Sequence, residues 1–356
     1  MQASDGATEV DDLTEAEDEE IGRDVRYSLT SYGADYPVDS LVKRIREESL
    51  FVPPFQREFV WKRPQASRFV ESLLMGLPVP GIFLARELGE TQRVMVVDGQ
   101  QRLWSLSRFY EGIWEDEVFT LKGVSSRFEG KTYKELSTEE RRGLDDSIIH
   151  ATIVKQDRPE EDDSSIYLIF ERINTTATLL TPQEIRSTVS RGKFNQLLHR
   201  LNENVHWREI YGPVNLRLKD QELILRFLCL YNDLERYHRP MKDTLNKFMH
   251  RNRNLTVVTE DAICKVFEPT VEVVLNSLGR RPFRPVRALN AAVFDAVMVG
   301  IAKRVTSGIP DRNAVRAGYQ RLLRDPAFIQ AYTRSTSDDE QVRRRVELAI
   351  AAFDKT

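Results

Sequence analysis

The sequence predicts an α+β protein, with a mixed α/β domain over residues 25–160 and an all-helical domain over residues 161–356. Three observations predict it. Between residues 27 and 155, short β-branched apolar runs alternate with amphipathic stretches, the pattern of strands interleaved with helices. From Asp163 onward, apolar residues recur almost wholly at helical spacing, as Ile166, Ile169, Phe170 and Ile173 do. Between the two lies an acidic, proline-containing link, Pro159-Glu160-Glu161-Asp162-Asp163.

Taken in order, residues 1–24 come first, with ten acids, one base (Arg23) and few apolar side chains. Such a segment cannot offset the entropy of ordering and is predicted to be disordered. Tyr27-Ser28-Leu29-Thr30 reads as a short strand, and Val38, Leu41, Val42 and Ile45 as a helix reaching about Glu48. Residues 50–53 are extended, because a residue before proline avoids the helical region. Pro64 suits a helix start, Phe69, Val70, Leu73 and Leu74 form its stripe, and Gly76 closes it. Residues 82–85 and 94–97 are strands, and residues 118–134 read as short strands around Gly123 and Gly130. Ser137-Thr138-Glu139-Glu140 has capping-box spacing, and residues 148–155 form the last strand. In the helical half, Thr181-Pro182-Gln183-Glu184 combines a cap, a first-turn proline and the box glutamate. Further stripes lie at Phe194/Leu197/Leu198/Leu201, Leu223/Phe227/Leu228/Tyr231, Ile263/Val266/Phe267, Leu289/Val293/Val297 and Val342/Val346/Ile350, the last after a Ser337/Glu340 box.

Composition narrows the function classes. The net charge of −3 hides an asymmetry: without the tail, 51 of the 52 bases face 45 of the 55 acids. That mild basic bias suits nucleic acid or nucleotide without singling out either. Cys229 and Cys264 are far apart in apolar helical patterns, so they read as small core residues in a reducing compartment. The longest apolar stretch, residues 291–302, is interrupted by Asp295, and the N-terminus lacks a signal-peptide pattern. The expectation is a cytoplasmic protein with no membrane partner. The five histidines lack metal-ligand spacing, and no G-x-x-x-x-G-K-[ST], G-x-S-x-G or H-E-x-x-H motif occurs.

One stretch gathers the chemistry. Val94-Met95-Val96-Val97 reads as a buried strand, Asp98-Gly99 as a tight turn, and Leu103, Leu106 and Tyr110 as the face of a following helix. Gln100, Gln101 and Arg102 then fall in the first helical turn, where orphan amides and the helix dipole favour an anion. Gly99 lets a ligand approach the backbone, and Arg102 adds a fork suited to phosphate. Asp98 either holds Mg²⁺ or a nucleophilic water, or caps the helix. Gln100 or Gln101 is a candidate for positioning that water. Arg57, beside Gln56 after a double proline, is a second phosphate donor or a surface arginine paired with Glu58 or Glu71. Asn174-Thr175-Thr176 offers an amide and hydroxyls to a base or ribose, or caps neighbouring helices. Arg280, Arg281, Arg284 and Arg287 form a basic loop, open to DNA phosphates or to solvent.

Val97-Asp98-Gly99-Gln100-Gln101-Arg102 resembles the DGQQR motif of the GmrSD-type restriction-endonuclease N-terminal domains, a branch of the ParB/sulfiredoxin-like superfamily. Three more segments agree in order. Gln56-Arg57-Glu58-Phe59-Val60-Trp61 is similar to the family's Q-R-x-x-V-W element, and Gly76-Leu77-Pro78-Val79-Pro80 to its G-x-P-x-P helix end. Phe170-Glu171-Arg172-Ile173-Asn174-Thr175 with Leu180-Thr181 matches a later segment, although Ala177 stands where the family carries glycine. The resemblance implies a ParB-like fold for the first domain and a nucleoside triphosphate (GTP, ATP or CTP), with Mg²⁺ as its ion. It implies catalytic roles for Asp98, Gln100, Gln101 and Arg102, and nucleotide contacts from Gln56, Arg57, Gly99, Arg102 and Asn174. The setting it implies is restriction or anti-phage defence, with DNA, modified or plain, and a separate nuclease or effector subunit as partners and homo-oligomers open. No histidine occurs after His250, so the expected arrangement is stand-alone, without the C-terminal HNH domain of larger relatives. A non-catalytic DNA-binding or regulatory module is the second reading, and direct nuclease action the third.

Overall fold

The structure, a computed structural model, describes residues 10–11, 28–52, 59–86, 93–158, 169 and 181–354. The chain divides into two compact units, residues 26–179 and residues 180–356 with 1–25. The acidic link, the double proline and most of the stripe from Ile166 to Ile173 lie outside the described residues, Ile169 alone being seen, as helix. Within the tail, Val10–Asp11 (β1) pairs in parallel with Leu289–Asn290 of its own unit, a contact its acidic composition does not announce.

The α/β unit is built on a five-stranded mixed sheet. Its strands are Ser28–Pro37 (β2), Leu50–Phe51 (β3), Ile82–Arg86 (β4), Val94–Asp98 (β5) and Ile148–Arg158 (β8), in the order β2-β8-β4-β5-β3. β4 runs parallel to β8 and antiparallel to β5, and β5 runs parallel to β3. Val94, Met95, Val96 and Val97 are each at most 9% exposed, so β5 reads as a continuous apolar run because both its faces are covered. Helices Val38–Arg46 (α1), Arg63–Leu74 (α2), Gln100–Glu111 (α3) and Thr138–Asp145 (α4) supply the rest of this core. Leu41, Phe69, Val70, Leu103, Leu106 and Phe109 meet Leu84, Val96 and Ile153 in it.

Two expectations are corrected here. β2 is ten residues long rather than a short stretch near Leu29. It pairs along its length with β8, from Ser28↔Arg158 to Pro37↔Ile148, yet its residues are mostly exposed. Such an edge strand carries no apolar alternation to be read. Residues 118–134 do not form a series of strands. Ile113–Trp114 (β6) and Glu117–Val118 (β7) make a small hairpin, and beyond it the chain forms turns and a 3₁₀ stretch, Tyr133–Glu135. Phe119, Leu121 and Phe128 are buried one at a time as anchors. Arg63 Nε at the head of α2 donates to the Thr120 carbonyl at 2.9 Å, so packing rather than strand pairing orders the loop.

The second unit is helical: Pro182–Val189 (α5), Lys193–Asn202 (α6), Val205–Tyr211 (α7), Lys219–Asp233 (α8), Met241–Arg251 (α9), Glu260–Leu278 (α10), Ala291–Val305 (α11), Arg312–Arg324 (α12), Pro326–Thr333 (α13) and Asp339–Asp354 (α14). The Thr181 box forms as read: its Oγ1 accepts from Glu184 N–H at 3.2 Å, and Glu184 Oε2 accepts from Thr181 N–H at 2.6 Å. Leu289 is in the short strand (β9) rather than a helix, and Asn290 caps α11 by accepting from Val293 N–H at 2.9 Å. Every residue from 291 to 302 is buried, and α11 packs on α8, α10 and α14. The apolar stretch is thus the centre of a helical core, with its one charge, Asp295, matched by Arg226 Nη2 at 2.7 Å and Arg345 Nη2 at 3.3 Å. Among the described residues no helix is long and apolar enough to cross a membrane.

Candidate functional site

β5 ends at Asp98 and α3 begins at Gln100, with Gly99 between them at φ +102°, ψ 7°. That left-handed conformation favours glycine, which has no Cβ to strain. A Cβ there would sit 2.4 Å from Ile82 Cγ2. On the side where a Cβ would point, β4 already fills the space.

Helix α3 starts without a side-chain cap, which settles the two readings of Asp98 in part. Gly99 is the cap residue, so Asp98 lies one position outside and does not cap. Its Oδ2 instead accepts from Arg102 Nη2 at 2.9 Å, one turn along. The Asp98 side chain is 48% exposed and that of Arg102 only 15%. Arg102 Nε is buried and makes no hydrogen bond. The corner thus presents an accessible carboxylate backed by a guanidinium with an unused donor, at the positive end of a helix.

Gln101 is committed elsewhere. Its Oε1 accepts from the backbone N–H groups of Val60 and Trp61 at 3.0 and 3.2 Å. The Gln101 carboxamide oxygen thus ties the 59–61 segment to the helix start, which leaves only its amide nitrogen to hold a water. Gln100 sits half-buried in the same turn and has contacts of its own. Gln56, Arg57 and Asn174 lie outside the described residues.

The tether brings in side chains that sequence reasoning missed. Phe59 stacks on Trp104 at 6.3 Å and meets Trp114 edge-on at 5.1 Å, and Trp114 meets Phe119 at 4.8 Å. The Arg108 guanidinium lies 4.3 Å from the Phe59 ring centre and 5.6 Å from that of Trp104. Gln101, Trp104 and Arg108 recur at i, i+3 and i+7, opposite the buried Leu103, Leu106 and Phe109. The signal was that second, half-polar stripe. At the far end of α3, Tyr110 and Tyr133 donate to Asp145 Oδ1 at 2.6 and 2.9 Å, their rings stacked at 4.2 Å. Burial, and then the bond to Asp145, pushes Tyr133 up to about 12 and raises Tyr110 as well, so both stay neutral donors.

The basic loop is in the helical unit. Arg280 Nη2 pairs with Glu209 Oε2 at 3.0 Å, and Arg284 Nη2 donates to the Tyr211 carbonyl at 3.3 Å. Arg280, Arg281 and Arg284 line an open cleft of about 280 Å³ with residues 209–213, while Arg287 is exposed and does not line it. Among the described residues no group of three or more His, Cys, Asp or Glu could hold a metal ion. His150, His199 and His238 are engaged separately, with Asp35, Gln221 and Asp339.

Residues 38–189 match the family model described as GmrSD restriction endonuclease, N-terminal domain. The match begins at the first residue of α1, contains the whole strand–turn–helix site and ends with the last residue of α5. Comparison with curated proteins gave no match.

Proposed function

With residues 38–189 forming a GmrSD restriction endonuclease N-terminal domain, we propose that this chain is a nucleotide-dependent sensor or switch of a restriction or anti-phage defence system directed at DNA. The observation that carries the reading is the Asp98–Arg102 pair over the uncapped start of α3, with a buried guanidinium donor unused. Such a corner fits a phosphate chain. Arg102 and the first-turn amides would hold its terminal oxygens, and the half-exposed Asp98 would hold Mg²⁺ through water. A bound nucleoside triphosphate supplies a phosphoanhydride that can be cleaved. Orienting the attacking water falls to Asp98, to Gln100 or to the amide nitrogen of Gln101. Arg102 would leave Asp98 in part for the phosphate, and the Gln101 bonds to Val60 and Trp61 pass any shift of the helix start to the 59–61 segment. That coupling is what a switch needs.

Binding of ATP, GTP and CTP with Mg²⁺, followed by melting temperature and calorimetry, tests the reading, and release of phosphate separates hydrolysis from sensing. Arg102→Ala should lose about 1.5–3 kcal/mol of binding, or roughly ten- to a hundred-fold in affinity. The lost pair with the half-exposed Asp98 should cost at most about 1 kcal/mol of stability, and the mostly buried Arg102 stem adds a packing loss that the melting temperature reads separately from binding. A chain that binds no triphosphate but does bind DNA would favour the second reading, a non-catalytic DNA-binding module, which the arginine cleft supports.

A further inference from the structure

The loop after α10 reads Arg280-Arg281-Pro282-Phe283-Arg284, and its backbone is pinned. Phe283 is 1% exposed and meets Phe294 of α11 edge-on at 4.9 Å. Its carbonyl accepts from Asn290 N–H at 2.8 Å, and the Tyr319 hydroxyl donates to the Pro282 carbonyl. With Pro282 and Phe283 drawn into the core, the flanking arginines are left to line the cleft. Arg280 donates through both Nε and Nη2 to Glu209, at 3.2 and 3.0 Å. Arg284 is held on the carbonyl that ends α7. Arg281, between them, is exposed and makes no ion pair among the described residues.

Three guanidiniums therefore share about 280 Å³ with a single carboxylate, Glu209. Burial lowers the pKa of Arg284, and the charge of Arg281 lowers it further. Like charges crowded on a rigid frame are relieved by an anion. Guanidinium forks match the several oxygens of a phosphate better than any single acceptor. The basic loop also holds more cations than one anion needs: the Arg280 side chain is 74% exposed, and Arg287, three residues after Arg284 in sequence, is exposed. Several exposed guanidiniums spaced along one pinned loop suit phosphates repeated along a strand.

We propose that this cleft is a phosphate-backbone contact site for duplex DNA, with Arg281 and Arg284 as its principal donors and Arg280 at its rim. Such contacts fix the position of the duplex and carry no sequence information. The inference rests on the DNA-directed part of the reading above and not on its nucleotide arm.

The test uses the full chain and a fluorescently labelled duplex, with anisotropy followed over a salt series. Wild type, Arg281→Ala, Arg281→Ala/Arg284→Ala and, as a control, Lys265→Ala are compared. The cleft variants should bind several-fold more weakly, and the slope of log K against log salt should become shallower by about 0.9 for each phosphate that the variant no longer neutralises. Arg281→Ala should melt as wild type, since that side chain is exposed. Lys265→Ala, at an exposed cation elsewhere in the helical unit, should keep its full duplex affinity. Equal affinity and slope in wild type and the cleft variants would overturn the cleft while leaving DNA binding elsewhere intact. No duplex binding by wild type at low salt would overturn it together with the DNA-directed reading. Capture of tripolyphosphate by the cleft without duplex would reassign it to a small polyanion.

Discussion

Gly99 carries two separate costs for any larger residue. Its φ of +102° strains an L side chain, and a Cβ would stand 2.4 Å from Ile82 Cγ2. Strain of the first kind costs about 1–3 kcal/mol, and overpacking of the second kind about as much. Gly99→Ala should therefore lower the urea midpoint by the equivalent of about 2 kcal/mol or more, and weaken triphosphate binding along with it. A midpoint unchanged from wild type would mean that β4 does not press on the turn. Gln101→Ala makes a different kind of lesion. It strips the acceptor from two backbone amides, Val60 and Trp61, at a cost of about 1 kcal/mol or somewhat more. Amide exchange should quicken at Val60 and Trp61 while the strand β5 stays protected; unchanged exchange would show that the tether does not hold in solution.

Elements are joined here by a shared buried charge. Asp295 of α11 answers Arg226 of α8 and Arg345 of α14, and all three are at most 2% exposed by side chain. Asp295→Asn would leave two buried guanidiniums without a carboxylate, which should cost about 3–5 kcal/mol in chemical denaturation. At the surface of the α/β unit, α4 is started by a box in which Ser137 Oγ accepts from Glu140 N–H at 3.1 Å and Glu140 Oε2 accepts from Ser137 N–H at 3.0 Å. That backbone bond, aided by Lys131 and Arg127, brings the Glu140 carboxyl down to about 2 from an ordinary 4.5. Because the folded value is the lower one, the contribution is complete above pH 4.5 and lost as pH falls toward 2. Glu140→Gln should flatten the stability profile across that window. A profile identical to wild type would show that the box is open in solution.

At the scale of the whole molecule, the acidic tail and the reaction are both open to a simple experiment. Removing residues 1–24 takes away the pairing of Val10–Asp11 with β9, a two-residue contact. The melting temperature should move by no more than about 2 °C, the small effect typical of chain ends. A larger fall would mean that the tail is docked on the basic body. In the sensor reading scission belongs to a separate nuclease or effector, so plasmid DNA incubated with Mg²⁺ or Mn²⁺ and each nucleoside triphosphate should remain uncut until a second polypeptide is supplied. Nicking that persists through purification and disappears in Asp98→Ala would promote the nuclease reading instead.

The sequence by itself determined the strand–turn–helix corner, the helix from Gln100 to Glu111 and the boxes at Ser137 and Thr181. Each is fixed by chemistry within a few residues: a β-branched run, a glycine before a helical stripe, a cap with its reciprocal glutamate. It also determined the division into a mixed α/β part and a helical part, since periods of two and of 3.6 residues are local properties. Tertiary structure decided what those residues do. Asp98 does not cap, because Gly99 holds that position and Arg102 lies one turn away to take its carboxylate. Gln101 serves Val60 and Trp61, some forty residues earlier, and the space beside Gly99 belongs to Ile82. The ten residues of β2 are a strand because β8 pairs with them, and the arginines after α10 become a cleft because Phe283 and Pro282 are buried and Tyr211 lies opposite. A side chain's partners are set by which distant segments the core brings beside it, and no local pattern encodes that.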